Sequence, residues 1–187
     1  MRRPLLKGFC GLLAVTAGIG LYLGGLQLTG NFHPVVEGAL YRSAQPDPAA
    51  LERYVRDYGI RTVVNLRGGN PDAGWYRAER AASQHLGLTH IDFPMSAKRE
   101  LTQEQAAQLV ALLSKAERPI LIHCQAGADR SGLAAALYVA AVAGGGEEAA
   151  ERQISLRYGH ISLPIAKTFA MDRSFEALEP WLGYPDS

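Results

Sequence analysis

The stretch PILIHCQAGADRSG, residues 119–132, decides the reading of this chain. Residues 119–123 make a short, continuously apolar run, the pattern of a strand covered on both faces of a sheet. A loop of small residues follows, and the alanine- and leucine-rich stretch 133–143 then reads as a helix. Sites in open α/β sheets lie just beyond the carboxyl ends of strands, and Cys124 stands at such an end. Five residues separate Cys124 from Arg130, enough for the backbone to curl into a cup. The N–H groups of Gln125, Ala126, Gly127, Ala128, Asp129 and Arg130 would face its interior. At a helix N-terminus such a nest binds an oxyanion. Gly127 allows a positive φ in the cup, and Arg130 can grip two anion oxygens in bidentate fashion. A cation at a helix start is unfavourable without an anion to pair with, which argues that Arg130 has one. The same field favours the ionised form of Cys124, which is the nucleophilic one.

Outward from this stretch the chain alternates strands and helices. Residues 35–43 read as a short strand pair broken at Gly38. Asp47 and Pro48 supply an N-cap and a first-turn proline for a helix running to Tyr58, with Gly59 as its stop. Residues 60–66 form a β-branched strand, a Gly/Asn/Pro loop covers 68–74, and the next helix ends near Leu86 and Gly87. A strand over 88–95 follows. Thr102 with Gln105 makes a capping box for a helix to about Ala116, and two or three helices fill 147–183. This order predicts an α/β fold, a central mixed and mostly parallel sheet with helices on both faces.

The chain has 187 residues, room for one domain over 31–187 and an appendage over 1–30. The net charge of +1 hides an asymmetry, because Arg2, Arg3 and Lys7 stand in a first segment without any acid. The remaining chain is net acidic and has no basic run, which speaks against a nucleic-acid partner. Residues 8–28 carry no charge, and about 20 apolar residues suffice to span a bilayer core. A transmembrane anchor is therefore expected, with a cleaved signal peptide as the alternative. The basic flank would stay cytoplasmic and place the domain on the extracytoplasmic, or periplasmic, side. Cys10 falls in that segment, so the domain owns one thiol, Cys124, and cannot build an internal disulfide or a multi-cysteine zinc site.

HCQAGADRSG, residues 123–132, resembles the C-x5-R-[ST] signature loop of the cysteine-dependent protein tyrosine and dual-specificity phosphatases. The segments YRSAQP at 41–46 and VVNLR at 63–67 are similar to the small bacterial and fungal dual-specificity-like branch. The resemblance implies a cofactor-free, metal-independent phosphomonoester hydrolase acting through a phosphocysteine. Cys124 would be the nucleophile, Arg130 the phosphate clamp, Ser131 an aid to the departing thiolate, and His123 a brace for the loop. Residues 125–131 would bind the phosphate.

The general acid stays open. Family members draw an Asp from a loop about 30 residues before the signature, a separation matched by Asp92, which reads as part of a strand. Some relatives place the Asp directly before the signature Arg, as Asp129 stands here, and Glu100 is the only acid in the intervening loop 96–100. Arg42 is expected to be structural, while Arg67 could meet substrate or pair with an acid. Trp75 and Tyr76 are expected to pack, and His33, His85, His90 and His160 to be ordinary. Expected partners are a phosphorylated protein, or alternatively a lipid phosphate, and a membrane. The further alternatives are a non-catalytic phosphate-binding role and sulfur transfer or arsenate reduction on a similar anion loop, the last disfavoured by the lack of further cysteines in the domain, and the oligomeric state is left open.

Overall fold

The computed structural model describes residues 3–184, with side chains from Thr16 onward. Its elements in chain order are α1 (Arg3–Leu28), β1 (His33–Val36), β2 (Leu40–Ser43), α2 (Pro48–Tyr58), β3 (Thr62–Asn65), α3 (Gly74–His85) and β4 (Thr89–Asp92). Then come α4 (Gln103–Lys115), β5 (Ile120–His123), α5 (Asp129–Ala141), α6 (Glu147–Glu151) and α7 (Ala170–Leu182), with single 3₁₀ turns at Leu156–Tyr158 and Lys167–Phe169. The five strands form one sheet in the order β1-β2-β5-β3-β4. β1 runs antiparallel to β2, and every other pair is parallel. The expected mixed, mostly parallel sheet is therefore present.

Side chains alternate across each strand, and that period of two sorts the core into two layers. Leu40, Val64, Ile120 and Ile122 meet α4, α5 and α7 through Leu109, Leu113, Leu137, Met171 and Phe175. Their neighbours Tyr41, Val63 and Leu121 point the other way, onto Leu51 and Tyr54 of α2 and the partly buried Ala82 of α3. All four residues of β2, β3 and β5 are buried, as helices on both faces require.

The helix stops are local chemistry. Asp47 accepts from Ala50 N at 2.6 Å, and Gly59 closes α2 in the left-handed conformation at φ 66°. The capping box of Thr102 and Gln105 is formed at the start of α4. One boundary differs from the sequence reading: α5 begins at Asp129 rather than near Leu133. The anion loop is thus only residues 125–128, and Arg130 and Ser131 belong to the first helical turn.

The N-terminal segment is helical, but among the described residues no helix is long and apolar enough to cross a membrane. The expected transmembrane span has no support there, and the side chains of its first half lie outside the described residues. What is described is a helix end docked on the domain. Leu26 is buried, and Tyr22 Oη donates to Arg157 O at 2.6 Å.

Candidate active site

The parallel strand β5 delivers Cys124 to the sheet's carboxyl edge, where the thiol is buried and lies 3.5 Å from Ser131 Oγ. The next four carbonyls all turn outward, each to a donor from outside the loop. Gln125 O accepts from Gln45 N at 3.2 Å, and Ala126 O from Asn31 Nδ2 at 2.9 Å and Gln27 Nε2 at 3.1 Å. Gly127 O and Ala128 O accept from Arg42 Nη2 at 3.0 and 2.9 Å. In a trans peptide the N–H points opposite to the C=O. The amides of Ala126, Gly127, Ala128 and Asp129 therefore face into the cup, four of the six that the sequence named.

Gly127 is required for this path. Its φ is 71°, and a Cβ would lie 2.6 Å from Ala44 N and 2.7 Å from Ser43 C. Arg42 is structural, as expected: it is fully buried, and its Nη1 donates to Gln153 O at 2.7 Å. Burial draws its pKa down to about 10, against the pull of Tyr158, Cys124 and Asp129, so it stays cationic at neutral pH.

Arg130 lies in the first turn of α5. Its Nη1 makes one long contact, 3.5 Å, to Met95 O, while its Nε is buried without a hydrogen-bond partner among the described residues. A buried guanidinium N–H left open in a cup of amides is the donor an oxyanion would take up. Cys124, Gln125, Ala126, Asp129 and Arg130 line one cleft of about 570 Å³, with Gln27, Lys98 and Thr168 also on its walls. Arg67 contributes a second cation near the site. It donates to Gln45 Oε1 at 2.8 Å and stacks on Trp75 at 3.5 Å. Burial, and then the charge of Arg130, lower its pKa.

The three candidate acids separate by position. Asp92 ends β4 and is tied down on both oxygens, accepting from Asn65 Nδ2 at 2.7 Å and Tyr76 Oη at 2.5 Å. It is not part of the cleft wall. Glu100 is exposed and pairs with Arg173 Nε at 2.5 Å. Asp129 alone of the three lines the cleft. Its Oδ1 faces His160 Nδ1 at 2.7 Å, leaving the carboxylate partly exposed at 24%.

Two of the histidines expected to be ordinary are not. His160 is fully buried, and its second nitrogen faces Asp172 Oδ2 at 2.8 Å. Burial opposes its protonation, yet the hydrogen bonds to Asp129 and Asp172 outweigh that and raise its pKa. His90 and His123 converge on Glu79, at 2.6 and 3.1 Å. Gln45 Nε2 donates to the same carboxylate. Burial alone would raise the pKa of Glu79, but these partners bring it down to about 2. His123 thus spends Nε2 on Glu79, which fits a brace. Sequence reading missed Glu79, His160 and Asp172. Glu79 and Ser83 do share the inward face of α3 at i,i+4 spacing, the one local signal available.

A family model described as a DSP-PTPase phosphatase fused to NAD+ kinase matches residues 30–167. No curated protein matches the sequence. Among solved structures, TpbA of P. aeruginosa is 24% identical with a TM-score of 0.64, over 83% of this chain and 92% of that one. A second TpbA structure is a cysteine-to-serine form in complex with pTyr. The catalytic domain of the PP-IP phosphatase SIW14 from S. cerevisiae is 16% identical with a TM-score of 0.59, over 82% and 93%. PTPMT1 is 17% identical with a TM-score of 0.59, over 81% and 98%, and has also been solved with PI(5)P.

Proposed function

The chain belongs to the family of DSP-PTPase phosphatases described as fused to NAD+ kinase, and from that premise we propose that it hydrolyses phosphomonoesters through a phosphocysteine intermediate. The observation that carries this reading is the cup itself: four inward amides and the open Nε of Arg130, beside a cleft that Cys124 and Arg130 both line. Cys124 Sγ attacks phosphorus as the ester oxygen leaves. The amides of residues 126–129 and the Arg130 guanidinium hold the equatorial oxygens, where charge is spread in the transition state. Ser131 Oγ, 3.5 Å from the sulfur, donates to the thiolate when it departs in the second step. Asp129 is the proton donor to the leaving oxygen, supported by its place on the cleft wall and by the engagement of Asp92 and Glu100 elsewhere.

Phosphotyrosine-containing protein is the first substrate class, in keeping with the pTyr complex of TpbA. A phosphorylated inositol headgroup is favoured by a different observation. Lys98 stands on the cleft wall and adds a cation where the loop's own variable positions hold none. Attachment to a membrane on the extracytoplasmic side rests on the uncharged stretch 8–28 and its basic flank. A reporter fusion to the domain checks it.

The decisive assay uses the purified full 187-residue chain in mild detergent, with an aryl phosphate, a phosphotyrosyl peptide and a soluble phosphoinositide. Turnover is expected to resist EDTA, to be blocked by vanadate, and to vanish in Cys124→Ser. Retained turnover in Cys124→Ser would end the cysteine mechanism.

A further inference from the structure

His160 lies 31 residues from Asp129 in sequence, yet it is sealed between two carboxylates. Nδ1 faces Asp129 Oδ1 at 2.7 Å, and Nε2 faces Asp172 Oδ2 at 2.8 Å. The ring is fully buried, so both nitrogens spend their hydrogen bonds on these two side chains. The two carboxylates open on different spaces. Asp129 lines the cleft that holds Cys124 and Arg130. Asp172 lines a separate cavity of about 230 Å³ with Ser162, Phe169 and Glu176. The imidazole therefore bridges the reacting cleft and a second, independent opening.

We propose that Asp172, His160 and Asp129 form a proton relay, in which His160 is a positioning residue that stores the proton Asp129 delivers to the leaving group. This rests on the reading of Asp129 as the general acid. The order of groups, carboxylate, imidazole, reacting acceptor, is that of a catalytic triad, with Asp129 in the place of the nucleophile.

The proton begins on Nδ1, with the ring doubly protonated and each N–H donating to a carboxylate. As Sγ–P forms and the ester P–O bond breaks, Nδ1 passes its proton to Asp129, and Asp129 passes one to the departing oxygen. The ring is left neutral, its remaining N–H held by Asp172. In the second step water attacks phosphorus, Sγ leaves as thiolate, and the water's proton returns through Asp129 to Nδ1. No proton is gained or lost over the cycle.

The titratable groups facing His160 are Asp129 from α5 and Asp172 from α7. Arg42, on β2, acts electrostatically on Asp129. Glu151 and Glu176 share the cavity of Asp172. The net effect on the ring is a raised pKa, so the acid form extends above the ordinary histidine range of 6.5.

The test compares Asp129→Asn, His160→Gln and Asp172→Asn in the full chain, over aryl phosphates of graded leaving-group pKa and across pH. In Asp129→Asn the rate on poor leaving groups is expected to fall about 10²–10⁴-fold, with little change on good ones. His160→Gln is expected to lose about 10–100-fold on poor leaving groups, with good ones within about threefold, and to lose the basic limb of the kcat profile. Asp172→Asn is expected to move that limb to lower pH, because a carboxylate that favours the imidazolium is gone. It also serves as the second variant should His160→Gln fail to fold. A uniform loss across leaving groups in His160→Gln, with the basic limb unmoved in both His160 and Asp172 variants, overturns the relay. An Asp129→Asn enzyme with unchanged leaving-group dependence instead overturns the general-acid reading, and the relay falls with it.

Discussion

At Gly127 the backbone leaves no room for a methyl group, and the contacts a Cβ would make are to backbone atoms that cannot swing away. Gly127→Ala is expected to displace the loop by a fraction of an ångström to an ångström and to lower kcat/KM by about 10²-fold, with the far-UV circular dichroism unchanged. Glu79 offers a second residue-level outcome. Its folded-state pKa of about 2 lies below the ordinary 4.5, so its contribution to stability is complete above pH 4.5 and is lost as pH falls towards 2. The gap in melting temperature between the native chain and Glu79→Gln is therefore expected to narrow across that window. A gap that stays constant down to pH 2 would refute this account of Glu79. The residues legible in the sequence were those whose meaning is local. Cys124, Gly127 and Arg130 announce themselves because one short strand-to-helix turn must hold them all. Glu79 and Asp172 are two acids among 18 Asp and Glu, and nothing near them in the sequence says that a histidine of another element needs them.

Elements were read best where their ends carry their own chemistry. Asp47, Gly59, Thr102 and Gln105 cap and stop helices through side chains and a left-handed glycine within a few residues. Thr102→Ala is expected to lower the unfolding free energy by about 1 kcal/mol, measured by urea titration, without changing kcat/KM, since neither Thr102 nor any residue of α4 lines the cleft. The start of α5 leaves no mark in the sequence, because Ala128 offers no side-chain cap and the helix begins without the usual signal. What starts it is the loop itself, folded back on Arg42. α1 differed for another reason. An uncharged run announces a membrane helix by composition, but nothing in composition shows that its last turns dock against the domain and hand Gln27 to Ala126 O. Asn31, just past that helix, donates to both Ala126 O and Tyr158 O. Asn31→Leu would leave those carbonyls without this donor and is expected to cost about 1–3 kcal/mol of stability and to reduce turnover.

Across the whole molecule the mostly parallel sheet and its two covered faces followed from alternating strands and helices, whereas the strand order and the tertiary partners of the site did not. Arg42, Asn31, Gln45, His160 and Asp172 come from both ends of the chain to surround one turn, and no periodicity records such meetings. An anion in the cup is expected to stabilise the entire fold. At about 100 times its dissociation constant, vanadate should add about 2.7 kcal/mol, visible as a raised melting temperature in Cys124→Ser and absent in Arg130→Met. The four outward carbonyls carry one more implication. Each is aimed by a donor that lies outside the ten-residue signature: a backbone amide at Gln45, two side-chain amides at Gln27 and Asn31, and a guanidinium at Arg42. Transplanted alone into a foreign scaffold, the signature peptide would keep its sulfur and its arginine but forfeit the scaffolding that orients its amides, and the graft should be inert towards phosphate esters.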